Sequence, residues 1–259
     1  MQRVLIIAGS DPSGGAGIQA DIKAVTCLGG YAMTAITALT VQNTLGVSDV
    51  MAVPPDFITA QARACLDDIG ADAIKTGMLA DIEVMEAVSL IIEGAKVFTV
   101  IDPVMVAKGG HALMQDRAID AMKALMLPLA DLLTPNTPEA TALTGIQIES
   151  EDDMHKAGAA LLDMGAKAVL IKGGHLAGPE VVDVLITPEG PHRFVSERIE
   201  TLHTHGTGCT LASACAALMR PARPLQETIG LARDYVGGAI LMAPQFGEGH
   251  GPLRHNWLL

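Results

Sequence analysis

The sequence predicts an α/β fold with a largely parallel sheet covered by helices on both faces. Short apolar runs alternate with helix-period stretches along the whole chain. Several of those runs end in a glycine-rich or polar turn that leads at once into a helical pattern, the strand–turn–helix order of parallel sheets. Of the 259 residues, 49% are hydrophobic and 18% charged, so burial is extensive and less surface than usual is left for charge.

The elements follow in order. Val4–Ala8 reads as a strand, closed by Gly9-Ser-Asp-Pro-Ser-Gly-Gly-Ala-Gly17, with a helix from Ile18 to about Leu28. Ala32–Val41 reads as a fully buried strand, and Pro54-Pro55-Asp56 opens a helix to about Ile69, proline being tolerated in a first turn. Ala71–Thr76 is a strand, Ile82–Ile92 a helix, Lys96–Asp102 a strand, Leu113–Leu127 a helix and Ala130–Thr134 a strand. Thr137-Pro138 has the chemistry of an N-cap and first helical residue, and Ser150-Glu-Asp-Asp153 starts a further helix with a partial capping box. Ala166–Lys172 reads as a strand, and Val181–Ile186 with His192–Ser196 as a hairpin across Pro188-Glu-Gly190. Helices over about Cys209–Met219 and Leu225–Met242 complete the body. No linker, charge block or repeat divides the chain, so one domain over 1–259 is expected.

The formal net charge of −12 argues against a nucleic-acid partner but not against small anions, which a local dipole, lysine or metal ion can hold. Cys27, Cys65, Cys209 and Cys215 form no C-x-x-C pair, consistent with a reducing cytoplasm. The opening residues are too short for a signal peptide, and no apolar run reaches the ~18 residues of a membrane span. A cytoplasmic location with no membrane partner is expected.

The most informative stretch is Thr204-His-Gly-Thr-Gly-Cys-Thr210, followed directly by the helical run Leu211–Met219. Two glycines allow a tight turn, and the helix behind it aims free N–H groups and a positive dipole end at one point. That point suits a phosphate or a developing negative charge. Cys209 sits in the first turn, where a thiol pKa is expected to fall. Other polar groups stand at expected strand ends: Asp11 and Asp21 around the first glycine turn, Gln42-Asn43-Thr44, Lys75-Thr-Gly-Met78, Asp102-Pro103, Asn136-x-x-Glu139 and Lys172-Gly-Gly-His175.

Gly15-Ala-Gly17-Ile-Gln-Ala20 loosely fits a dinucleotide fingerprint, but Val41-Gln42-Asn43 stands where that fingerprint needs an acid. A structural turn is the competing account. The chain has no G-x-x-x-x-G-K-[ST] loop. Asp102, Asn136 and Glu139 supply hard oxygens suited to Mg²⁺, or else a strand-end cap and a solvated helix start. Lys172 offers a cation to polyphosphate, or is a plain solvated lysine. His203, His205 and Cys209 lack the second pair that a zinc site requires, and only His205 nominates a base for a nucleophilic cysteine.

Taken together, these residues resemble the hydroxymethylpyrimidine and phosphomethylpyrimidine kinases of thiamine biosynthesis, within the ribokinase-like family. The resemblance is carried by Gly9–Asp21, Ala38-Leu-Thr-Val-Gln-Asn-Thr44, Lys75-Thr-Gly-Met-Leu79, Asp102-Pro-Val-Met-Val-Ala-Lys108, Thr134-Pro-Asn-Thr-Pro-Glu-Ala140, Lys172–His175, Thr204–Thr210 and Gly247-Glu-Gly-His-Gly-Pro252. It implies a three-layer αβα fold, a homodimer, and transfer of the ATP γ-phosphate to the pyrimidine hydroxymethyl group with Mg²⁺, commonly followed by a second transfer onto the monophosphate. It further implies Gln42 on the aminopyrimidine, with Gly9, Asp21, Met78 and Met105 or Val106 around the ring. Cys209 stands where related sugar kinases place an aspartate base. Gly206, Thr207 and Gly208 would form the anion hole, Lys172 and Thr207 would meet ATP, and Asn136, Glu139 and Asp102 would organise Mg²⁺ and phosphates. Leu202-His203, Gly109 and Arg254 depart from the family pattern. A pyridoxal or pyridoxine kinase is the nearest alternative, and a non-catalytic ligand-binding α/β protein the alternative from another class.

Overall fold

The computed structural model describes residues 1–79, 81–105 and 116–259. Along the chain run β1 (Arg3–Ser10), α1 (Gly17–Cys27), β2 (Tyr31–Asn43), β3 (Gly46–Ala52), α2 (Pro55–Asp68), β4 (Ala73–Thr76), α3 (Ile82–Ala95) and β5 (Phe98–Ile101). They continue as α4 (Asp116–Ala121), β6 (Leu132–Leu133), α5 (Thr137–Thr144), α6 (Glu151–Asp163), β7 (Val169–Ile171), β8 (Glu180–Thr187), β9 (Gly190–Glu197), α7 (Thr207–Leu218) and α8 (Leu225–Leu241).

The strands form one sheet in the order β3-β2-β1-β4-β5-β6-β7-β8-β9. Pairing is parallel from β2 across to β7 and antiparallel only at the edges, where β3 joins β2 and the β8–β9 hairpin joins β7. The expected α/β class with a largely parallel sheet is thus observed. Alternate side chains of β1 show why the sheet is covered twice. Leu5 and Ile7 enter one core with residues of α2, α3, α5 and α6, whereas Val4, Ile6 and Ala8 enter a second with α1, α7 and α8. Two helical layers around the sheet make the three-layer αβα architecture.

Four elements differ from expectation. β2 is not fully buried: Met33, Ala35, Thr37 and Ala38 are, but Leu39 and Val41 are exposed where the strand runs out beside the edge strand β3. β3 has no counterpart in the sequence reading because only Val47 of its seven residues is buried, so no apolar run announces it. The expected helix over Leu113–Leu127 begins outside the described residues; α4 passes into a π turn at Met122–Met126 and a 3₁₀ turn at Leu127–Leu129, where Pro128 ends it. Asn136, not Thr137, caps α5: Glu139 N donates to Asn136 Oδ1 at 2.8 Å and Asn136 N to Glu139 Oε2 at 2.7 Å. That is a capping box with asparagine in place of serine or threonine. The Ser150 cap on α6 forms as expected. Among the described residues, no helix is long and apolar enough to cross a membrane.

Candidate functional site

Every parallel strand from β2 to β7 ends on the same side of the sheet, and the chain reverses there between β1 and β4. Such a switch point leaves a crevice above the strand ends. A cavity of about 830 Å³ opens there, lined from β1, β2, β4, β5, the α5 start, β7, β8, β9, α7 and α8. Gly9, Gln42, Met78, Met105, Asp102, Asn136, Glu139, Lys172, Gly206, Thr207, Gly208 and Cys209 all line it. Residues scattered over the whole sequence therefore converge as expected. Val106 and Gly109 lie outside the described residues.

The start of α7 sets the geometry of one wall. Gly206 is its N-cap with φ 81, and a Cβ there would strike the carbonyl of Gly15, so only glycine permits the two turns to touch. No side chain caps α7, and its first N–H groups have no helical acceptor, which leaves those of Gly208 and Cys209 for a ligand. Thr207 Oγ1 is instead turned back to Thr204 O at 2.7 Å. From behind, Thr210 Oγ1 donates to Gly206 O at 2.8 Å and meets His255 Nε2 at 2.9 Å.

Opposite this turn lies a charged cluster. Lys172 Nζ donates to Asp102 Oδ1 at 2.9 Å and stands 3.9 Å from Glu139 Oε2. Its ammonium lies close against Gly208, where a Cβ would come within 3.2 Å of Nζ. Burial works against the Lys172 charge, but Asp102 and Glu139 outweigh it and raise its pKa. Burial pushes the Glu139 carboxyl up to about 7, with Lys172 opposing and Asp102 adding to the rise. The plain solvated lysine and the solvated helix start are both ruled out by this burial. The oxygens of Asp102, Glu139 and Asn136 fit Mg²⁺, which is usually held by one or two carboxylates, waters and substrate phosphates. Among the described residues no group of three or more His, Cys, Asp or Glu side chains is arranged to hold a metal ion by itself.

Two expectations are corrected. Asp21 does not face the cavity. It is fully buried behind it, taking two hydrogen bonds of 2.9 Å from Lys75 Nζ and one of 2.7 Å from Ser213 Oγ. Lys75, itself fully buried in side chain, reaches the cavity lining in its place. Burial opposes the Lys75 charge, and Asp21, Cys209 and Asp102 together outweigh it, raising the pKa. The Cys209 thiol is also not lowered: burial pushes it up to about 11, against the attraction of Lys75 and a hydrogen bond from Gly17 N–H. A dipole end and one paired lysine do not offset the loss of water around a thiolate.

One pair is absent from the sequence reading altogether. His205 Nε2 lies 2.8 Å from Asp11 Oδ2, with both residues buried. Burial works against the Asp11 charge, yet His205, Ser13 and the N–H groups of Ala16 and Ser13 hold its carboxyl down at about 2. The same His205 nitrogen stands 3.3 Å from the Gln42 amide. With Asp11 and His205 194 positions apart, no local pattern signals this contact. Arg233, bonded to Asp183 at 2.8 Å beneath the β8–β9 end of the cavity, was likewise not foreseen. The departures from the family pattern stand apart from this cluster: Leu202 is exposed, His203 packs against Gly251, and Arg254 is an exposed residue whose N–H donates to Ala239 O.

Comparisons with known proteins place the chain. Residues 11–254 match the phosphomethylpyrimidine kinase family. The chain is 49% identical over 97% of its length to the thiamine biosynthesis bifunctional protein of Geobacter sulfurreducens, of which it spans only 52%. It is 43% identical to the hydroxymethylpyrimidine/phosphomethylpyrimidine kinase of Streptomyces coelicolor, covering 99% of this chain and 95% of that one. An ADP complex of Bacillus subtilis pyridoxal kinase superposes with a TM-score of 0.92 at 37% identity, covering 100% and 98% of the two chains. The chain belongs to the phosphomethylpyrimidine kinase family and has its ribokinase-like fold.

Proposed function

We propose that, as a member of this family, the chain uses the cavity above its strand ends to phosphorylate hydroxymethylpyrimidine and then its monophosphate with ATP, giving the diphosphate for thiamine biosynthesis. One observation carries the reading of the site: the bare N-terminus of α7, Lys172, Cys209 and Gln42 open onto a single cavity large enough for a nucleotide and a small heterocycle.

The chemistry follows from what each residue offers. Phosphoryl transfer passes through a loose transition state that needs alignment and charge neutralisation more than covalent help. The N–H groups of Gly208 and Cys209, on the turn Gly206-Thr207-Gly208, receive charge building on the γ-phosphoryl oxygens, with Lys172 beside them. Mg²⁺, held by Glu139, Asp102 and Asn136, would neutralise phosphate charge when bound. Cys209 acts as a thiolate, its own proton having first gone to water at the cavity mouth; the hydroxymethyl oxygen then attacks phosphorus, the bond to the ADP oxygen breaks, and the hydroxyl proton passes to the Cys209 sulfur, restoring the thiol. Lys75 and the helix end lower the cost of forming that thiolate, and a loose transition state needs the proton removed only late.

Gly9, Met78 and Met105 frame the heterocycle, Met78 packing against Gly9 so closely that a Cβ there would come within 3.3 Å of its Sδ. The apolar wall of Val181, Val195, Val236 and Ile240 at the far end suits the adenine. The domain is a single kinase unit over 1–259, working in the cytoplasm as a homodimer. The exposed Leu39, Val41 and Met51 on the β2–β3 edge give a second copy an apolar surface.

The test is direct. Purified protein with Mg²⁺ and ATP is offered hydroxymethylpyrimidine, its monophosphate and pyridoxal, and ADP release is followed. Turnover of both pyrimidines is expected; turnover of pyridoxal alone overturns the substrate assignment.

A further inference from the structure

We propose that Asp11 and His205 are positioning residues that lock the Gln42 amide in one orientation, and so fix which edge of the heterocycle the cavity accepts. The inference deepens the pyrimidine reading above and rests on it.

The structure sets Gln42 Nε2 3.3 Å from His205 Nε2 and Gln42 Oε1 3.2 Å from Thr40 Oγ1, and the proton count reverses these two amide atoms. Glutamine oxygen and nitrogen are told apart by counting the protons around them. Asp11 Oδ2 lies 2.8 Å from the same His205 Nε2. That carboxylate also accepts from Ser13 N and Oγ on Oδ1 and from Ala16 N on Oδ2, so it is an anion. A bare imidazole nitrogen at this distance would set lone pair against lone pair. His205 Nε2 therefore carries a proton, and the amide atom beside it is the acceptor, Oε1. At the other end, Thr40 has one hydroxyl proton and two neighbours, Ser10 O at 2.9 Å and the Gln42 amide at 3.2 Å, and the nearer carbonyl takes it. The hydroxyl oxygen is left as an acceptor, and the amide atom facing it is the NH₂ group. With nitrogen against His205 and oxygen against Thr40, one contact sets N–H against N–H and the other lone pair against lone pair, so neither is a hydrogen bond. Two independent counts select the same orientation.

Once locked, the amide has one oxygen lone pair and one N–H left, side by side, and Gln42 lines the cavity. That pair matches a heterocycle edge with a ring nitrogen acceptor beside an exocyclic amino donor. A ring N–H beside a carbonyl needs the amide reversed, or the ring turned over with its hydroxymethyl group away from Cys209. His205 cannot rotate to allow the reversal. It is 4% exposed, its ring fills the space a Cβ on Gly15 would need, and its main-chain N–H is held by Gly251 O at 3.1 Å.

The experiment compares kcat/KM for the 4-amino hydroxymethylpyrimidine and its 4-oxo analogue. Wild type is expected to prefer the amino compound by at least ~10²-fold, since a site built to pair a polar edge rejects the mismatched one strongly. In His205→Leu that ratio is expected to fall at least tenfold. In His205→Gln, whose amide N–H reaches the position of Nε2, it is expected to stay within threefold of wild type. An equal loss toward both substrates in His205→Leu, with the ratio unchanged, overturns the proposal and makes His205 merely structural. Should His205→Leu not fold, the ¹⁵N histidine spectrum of wild type decides. A proton on Nε2 of His205 is expected, and a bare Nε2 overturns the assignment. Failure of the pyrimidine reading shows itself separately, as wild type turning over neither pyrimidine, and the spectrum still decides the orientation.

Discussion

Replacing Lys75 by methionine tests the buried pair beneath the site. The two side chains are fully buried and joined by two 2.9 Å hydrogen bonds, so Lys75→Met keeps most of the volume and strands the Asp21 carboxylate. Removing one partner of a buried pair costs about 3–5 kcal/mol. For a protein of this size each kcal/mol moves Tm by roughly 2–4 °C, so a loss of about 6–20 °C is expected at pH 8. The pH dependence has a definite sign. Burial already pushes the Asp21 carboxyl up, and without Lys75 its folded pKa rises further above the unfolded value of ~3.9. The deficit is therefore small near pH 4, grows as pH rises, and levels off above the folded-state pKa. Calorimetry at pH 5 and pH 8 reads this directly. Asp21→Asn combined with Lys75→Met removes the stranded charge and should recover at least half of the lost Tm. A Lys75→Met protein within 2 °C of wild type at pH 8, or a double variant no better than the single, would refute the reasoning.

Cys209→Ala should lower kcat by ~10²–10⁴-fold, the usual worth of a positioned proton acceptor, while a non-hydrolysable ATP analogue binds within twofold of wild type. Alkylation of Cys209 in the ligand-free protein should stay slow at neutral pH and rise only toward a midpoint near 11. Gly206→Ala forces a side chain into left-handed backbone at φ 81 and into the Gly15 carbonyl; steady-state kinetics should show at least a 10²-fold fall in kcat with circular dichroism nearly unchanged. His255, with its pKa lowered to about 4 by burial and by Lys23, contributes stability above its unfolded pKa of ~6.5 that is lost as pH falls toward 4. The Tm gap between wild type and His255→Gln should therefore shrink between pH 7.5 and 5, by the equivalent of roughly 2 kcal/mol.

Much of this site was legible because its parts are local. A glycine turn opening directly into an apolar helix states its own geometry, and Gly206–Cys209 stand as that pattern implies. The strand ends were legible for the same reason, which is why Gln42, Lys172 and Asn136 arrive at one cavity. What stayed hidden was pairing between distant segments. Asp21 looked like a site residue because it lies just past a site turn, but Lys75, 54 positions on, takes it out of the cavity. The Cys209 thiol was misjudged because helix position is written in the sequence, whereas its loss of water is set by packing from several elements at once. β3 escaped notice since an edge strand with one buried residue has no hydrophobic period to read.

The anchoring of α7 has a consequence for when the enzyme becomes competent. Gly206 is steadied through Thr210 by His255, and Tyr235 holds the His255 carbonyl at 2.7 Å, while the main chain of His205 is clasped by Gly251. The nine strands among the described residues all precede these contacts in the chain. A nascent protein can thus complete its sheet and still lack a shaped phosphate cradle until Tyr235, Gly251 and His255 dock, so the gain of activity reports a late event of assembly, not an early one.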